Sequence, residues 1–239
     1  ADTTNVDIDF TATLPDENSV TLVGSGSFTT TSGDQTITTA LSSFTVSGTE
    51  DPETQESTGS IAAQGRIETQ LGALRGSFSA DSDEGVIEFT GAVDLKEGSA
   101  TNTLFEGAVT LSGTSATETM PATASVLFDG TLRLPNRPEL VVELQVNNAV
   151  LNDTMDGVDT GSLAFTYQQN GTTVILNASR NEQGMESITI NSPTSMVTVG
   201  PFNPDSAQTV DVLRDGRLAA RYNVADARVN YVDGTFEQF

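Results

Sequence analysis

The 239-residue sequence has no cysteine, no histidine and no tryptophan, and Lys96 is its single lysine. Without thiols there is no disulfide, no thiolate nucleophile, no thiolate metal site and no cysteine to carry a lipid. Without imidazole, the Ser–His and Cys–His nucleophile systems fall away, and with them the usual zinc and copper centres. A Ser–Lys dyad would have to use Lys96, which lies in a predicted turn beside Glu97 and Gly98. No G-x-x-x-x-G-K-[ST] phosphate loop is present. Paired carboxylates hydrolyse glycosides in some enzymes, but three tyrosines and no tryptophan make a poor sugar-stacking platform. The sequence therefore reads as that of a protein that is not an enzyme. No run of 18 apolar residues occurs, so no transmembrane helix is expected.

What the chain has in excess is negative charge. Thirty-three acidic residues face ten basic ones, a formal net charge of −23. Such a surface repels nucleic-acid phosphates and anionic headgroups, so nucleic acid is not an expected partner. It also repels itself, and salt or divalent cations should relieve that repulsion. Leu, Ile, Val and Phe make up about 24% of the residues, above the level of about 20% below which disorder is the default. A folded chain is expected. The first residues, ADTTN, are small and polar, as they are after signal-peptide cleavage. Export to the periplasm, cell surface or medium is the expected localisation.

Strict apolar–polar alternation recurs along the chain and marks half-buried strands. In 86–95, Ile87, Phe89, Val93 and Leu95 fall on one face and Glu88, Thr90, Ala92 and Asp94 on the other. An apolar-x-Gly-x-apolar unit repeats as Leu74-Gly76-Phe78, Phe89-Gly91-Val93, Phe105-Gly107-Val109 and Phe128-Gly130-Leu132. Anchors at Gly26, Ser42, Gly59, Gly76, Gly91 and Gly107 recur at the length of one strand plus a short turn. Glycine weakens a strand interior, so a row of them needs a reason. It lets the sheet bend, or makes room for an aromatic ring from a neighbouring strand, or lines a groove. Turn signals stand between the strands, with hairpins predicted at Pro135–Pro138, Asn170-Gly171, Asp215-Gly216 and Asp233-Gly234. The expected fold is all-β, an antiparallel meander of about 12–15 strands forming a curved sandwich or barrel-like sheet. Three segments are expected: an N-terminal meander of glycine-centred strands (1–114), a second hairpin set continuous with it (115–200) and a C-terminal meander (201–239).

Two sets of candidate functional residues emerge. Calcium needs only oxygen ligands on loops, and Asp153, Asp156 and Asp159 cluster around Gly157. A second acidic turn holds Asp81, Asp83 and Glu84. Val6, Ile8 and Phe10 alternate in an N-terminal segment suited to strand donation to a neighbouring subunit, the alternative being pairing within its own sheet. The functional expectation is a non-catalytic exported structural or surface protein, a self-assembling subunit whose partners are copies of itself or other envelope proteins. The alternative is a soluble barrel or sandwich that binds an apolar ligand.

Overall fold

The computed structural model describes residues 3–97, 100–117, 121–151 and 158–239. The chain forms the expected all-β antiparallel meander, and the described residues contain no helix. The described residues form seventeen strands, more than the 12–15 expected. They are β1 (Thr3–Asp16), β2 (Ser19–Ser32), β3 (Gln35–Glu50), β4 (Ser57–Glu68), β5 (Gly72–Asp81), β6 (Val86–Glu97), β7 (Ala100–Thr114), β8 (Thr123–Leu132) and β9 (Leu140–Leu151). The rest are β10 (Val158–Gln169), β11 (Thr172–Arg180), β12 (Glu186–Ser192), β13 (Ser195–Phe202), β14 (Thr209–Arg214), β15 (Arg217–Asn223), β16 (Arg228–Tyr231) and β17 (Phe236–Gln238).

The chain divides into two compact units, residues 1–112 with 128–139, and residues 113–127 with 140–239. In the first unit β1 to β7 pair in chain order, each antiparallel to the next. In the second, β9 to β17 do the same. The hairpin chemistry follows the sequence. Asn170 and Gly171 have φ of 51° and 72°, and Asp215 and Gly216 have 50° and 77°. Two successive positive φ values are what a two-residue turn needs to match strand twist, and Asn-Gly and Asp-Gly supply them cheaply.

In the first unit the glycine repeat becomes a physical row. Gly65 pairs with Gly76, Gly76 with Gly91, and Gly91 with Gly107. Gly26 joins the row through Leu41, which pairs with both Gly26 and Gly65. Ser42, an expected anchor, sits instead in a bulge between Leu41 and Ser43, where its hydroxyl donates to the Gln64 carbonyl at 2.9 Å. Gly59, the other displaced anchor, pairs with Gly48 outside the row.

Close backbone approach holds part of the row to glycine. A Cβ built on Gly65 would lie 2.7 Å from the Ala40 carbonyl oxygen, and one on Gly76 would lie 2.7 Å from that of Thr90. No side chain tolerates such a contact with backbone, so neighbouring strands approach here because there is no Cβ. Ring accommodation operates as well. Phe10, Gly24 and Phe44 are successive partners across β1, β2 and β3. The Phe10 ring fills the space where a Gly24 Cβ would stand, and it meets Phe44 edge-on with ring centroids 6.4 Å apart.

The core is thin. The buried apolar residues are Ala92, Ala122, Ala149, Val210 and Ala220, none larger than valine. Val6, Ile8 and Phe10 of β1 and Leu74 and Phe78 of β5 fall on one face of the first unit, and much of that face lies in water.

Candidate functional site

The first unit presents two chemically opposite faces. Residues paired across an antiparallel ladder point to the same side, so the registers assign every side chain. One face carries the row Phe10–Gly24–Phe44–Ala63–Phe78–Phe89–Val109, running across β1 to β7. The glycine row lies beside it. On the far side of the glycines stand Ile67, Leu74, Val93 and Phe105, again successive partners from β4 to β7. Phe78 and Phe89 touch with ring centroids 4.9 Å apart.

This apolar face is uncovered. Val6, Ile8, Phe10, Val20, Phe28, Ile37, Ile67, Leu74, Ile87, Phe89 and Val93 all belong to it, with exposures from 37 to 62%. At roughly 150–200 Å² per side chain of this size, they leave on the order of 900 Å² of apolar surface in water. The largest patch on an ordinary monomer is about 300–600 Å². A groove of about 500 Å³ follows the glycine row, lined by Leu41, Ala63, Gly65, Ile67, Leu74, Gly76, Phe78 and Gly91 among others.

The opposite face is polar and ion-paired. Arg75 donates to Asp94 at 2.9 Å, and the Thr103 hydroxyl donates to the same carboxylate at 2.7 Å. Lys96 pairs with Glu68 at 2.6 Å, Arg66 also contacts Glu68, and Arg133 bridges Glu106 and Glu139. Hydroxyl pairs such as Ser77–Thr90 and Ser47–Ser60 join neighbouring strands. Ala92, between Arg75 and Glu106 in register, is the one residue of this face that is buried. A polar cleft of about 360 Å³ opens there, lined by Gln64, Arg75, Thr90, Glu106 and Asp129 among others. Exposed ion pairs of this kind stabilise little individually; they keep this side of the sheet wetted.

The Arg75 and Thr103 hydrogen bonds hold the Asp94 carboxyl below the usual carboxylate range, and the Lys96 hydrogen bond does the same for Glu68. A carboxyl whose folded pKa is depressed stabilises the fold above its unfolded pKa, and that contribution disappears as pH falls through the folded value. Acid denaturation monitored by circular dichroism should therefore show a stability loss beginning below about pH 4. Asp94→Asn should flatten that limb; an unchanged limb would remove Asp94 from the explanation.

The predicted calcium ligands do not form a described centre. Asp153 and Asp156 lie outside the described residues, and Asp159 is exposed on β10. In the other acidic turn, the Asp81 carboxylate accepts the backbone N–H of Asp83 at 2.9 Å and of Glu84 at 3.1 Å. That oxygen closes the turn. Among the described residues no three acidic side chains converge as a metal site would require.

Val6, Ile8 and Phe10 are brought together on the edge strand β1. They pair with Phe28, Gly26 and Gly24 of β2 and extend the apolar face to its rim. The strand is registered within its own sheet, and its described side chains are exposed. Edge strands are ordinarily guarded by shortness, lysine, proline or bulges. β1 is 14 residues long, has no basic residue and runs without a bulge from Thr3 to Thr13; Asp7, Asp9, Pro15 and an irregularity between Thr13 and Asp16 are the guards it carries.

In the second unit, a cavity of about 450 Å³ is lined by Val146, Ala149, Leu163, Ala178 and Ile188, with Arg180 and Glu186 also on its wall. Those two pair at 3.6 Å. No helix among the described residues is long and apolar enough to cross a membrane. Comparison with known proteins gives no match: no family model, no curated protein and no solved structure resembles the chain closely enough to lend it a function.

Proposed function

We propose that the protein is a non-catalytic, exported structural protein, a self-assembling subunit of an extracellular or cell-envelope structure. One observation carries the reading: the apolar face of β1 to β7 exposes large side chains over an area on the order of 900 Å². A sheet with one apolar face is stable only when that face is buried against another element. The long edge of β1, regular from Thr3 to Thr13 and with Val6, Ile8 and Phe10 at its rim, gives the same sheet a place to extend by strand addition. The lack of histidine and cysteine and the acidic surface accord with a structural role in which solubility and assembly are balanced by charge.

Sedimentation velocity across a concentration series tests the reading. Particles of two or more chains should form at micromolar concentration in moderate salt. A particle of one chain at every concentration would overturn it.

The second reading is a binding module for an apolar ligand, favoured by the 500 Å³ groove along the glycine row. That volume falls within the range of small-molecule pockets, about 300–1,000 Å³. Native mass spectrometry separates the two. A one-chain particle carrying a lipid-sized adduct would select the ligand reading, and adduct-free multimers would select assembly.

A further inference from the structure

We propose that the apolar face of β1 to β7 is covered by a second copy of this chain, with the aromatic ridge of each copy seated in the glycine groove of the other. The inference rests on the assembly reading and names the partner and its docking mode. The ridge is the row through Phe44, Phe78 and Phe89, and the groove is the row through Gly65, Gly76 and Gly91. On β5 and on β6 the two rows stand two residues apart, roughly 7 Å along the strand. They run parallel across the same strands on the same face. A twofold axis lying between two facing sheets, parallel to the rows and midway between them, carries each ridge onto the other copy's groove. Phe89 of one copy then stands over Gly91 of its mate, and Phe78 over Gly76. The face is self-complementary, which is the condition for an isologous dimer.

Area and charge both favour a second copy as occupant. A standard interface buries about 800 Å² on each partner, close to the apolar area this face exposes. An occupant confined to the 500 Å³ groove would leave the ridge and the β1 rim in water. No charged residue occupies a register position in the ridge, in the groove or in the apolar row beyond it. The charged residues on this face, Glu50 and Glu97, stand at strand ends. Two chains of net charge −23 can therefore meet here without placing a carboxylate inside the contact, whereas their ion-paired faces remain in solvent.

Gly91 makes the test clean. A Cβ there meets nothing within 4 Å, so Gly91→Leu projects its side chain into the groove with no clash at the Cβ. Thr110→Leu adds a similar side chain on the opposite face, where Thr110 pairs with Glu88. Self-association of the full chain is measured by sedimentation equilibrium for wild type and both variants. Circular dichroism and thermal unfolding at low concentration check that each variant folds. The expected result is association weakened on the order of 100-fold in Gly91→Leu, unchanged within about threefold in Thr110→Leu, with both folded. If Gly91→Leu assembles as tightly as wild type, the docking mode is wrong while assembly stands. Equal weakening by both variants also overturns the mode. A wild-type chain that never associates overturns both the mode and the assembly reading. A lipid adduct on wild type that is lost in Gly91→Leu, without multimers, assigns the groove to a ligand and overturns the proposal.

Discussion

Gly76→Ala is expected to lower the stability of the first unit by about 1–3 kcal/mol, the usual cost of forcing extra atoms into a closed space. Its partner in the same row should behave oppositely: Gly91→Ala should gain about 0.5–1 kcal/mol, because glycine in a strand interior costs that much relative to alanine. The two residues face each other across β5 and β6 and share a sequence context of apolar-x-Gly-x-apolar. What differs is the neighbouring backbone. The Thr90 carbonyl oxygen lies 2.7 Å from a Gly76 Cβ, a contact with main chain that cannot swing aside, while the Gly91 Cβ enters open space. Urea denaturation of the two variants at a concentration where the chain is dissociated reads the difference directly. Equal effects at the two positions would mean that close backbone approach does not set the need for glycine in the row.

The second large effect expected is of salt on self-association. The first 65 residues contain ten acids and no base, and the chain as a whole carries a net charge of −23. Two such bodies repel over a Debye length of about 30 Å at 0.01 M ionic strength, and of about 3 Å at 1 M. The apolar contact is strengthened or left intact by salt while the repulsion is screened. Raising sodium chloride from 0.01 to 1 M should therefore tighten association by at least an order of magnitude, and sodium sulfate should act more strongly at equal ionic strength. Association that weakens with salt would point to a contact made by ion pairs, placing the interface on the Arg75–Asp94 side of the sheet.

Much of this architecture can be read in the sequence because a strand's alternation has a physical cause. Phe89, Gly91 and Val93 share a face for geometric reasons, and strands of equal length joined by short turns bring equivalent positions into register. Thus the Gly76–Gly91–Gly107 row follows from spacing together with short intervening turns. The departures are local. The bulge at Ser42 inserts one residue, so Leu41 and not Ser42 stands in the glycine row. Gly59, near the expected spacing, pairs with Gly48 because register is counted from the turn, and the turn at 51–56 is long. Among the described residues the strand count rises to seventeen; the β12–β13 hairpin, whose turn at Pro193-Thr194 lacks a glycine signal, gave no sign of itself, whereas β16 and β17 flank the expected Asp233-Gly234 turn.

The candidate surface was legible in a narrower sense. Val6, Ile8 and Phe10 stood out by alternation, and their common face on β1 follows from it. The uncovered state of the whole face did not show in the sequence. Alternation reports that half the side chains seek an apolar environment; it does not report whether the same chain supplies one. The Phe10–Phe44 contact over Gly24 was also hidden, since it depends on a strand-to-strand register that only the fold determines. Asp94 likewise gains its depressed pKa from Arg75 and Thr103 on two different neighbouring strands.

Hydroxyl-radical footprinting of Phe10, Phe28 and Phe89, the exposed rings of the face, across a dilution series, with particle mass measured on the same samples, tests the central claim most directly. The account predicts high reactivity of all three rings in one-chain particles and protection that rises in step with the fraction of larger particles. Rings already protected in a particle of one chain would show that the face is covered from within, and rings equally reactive in the assembled particles would show that assembly leaves it bare; either result contradicts the account.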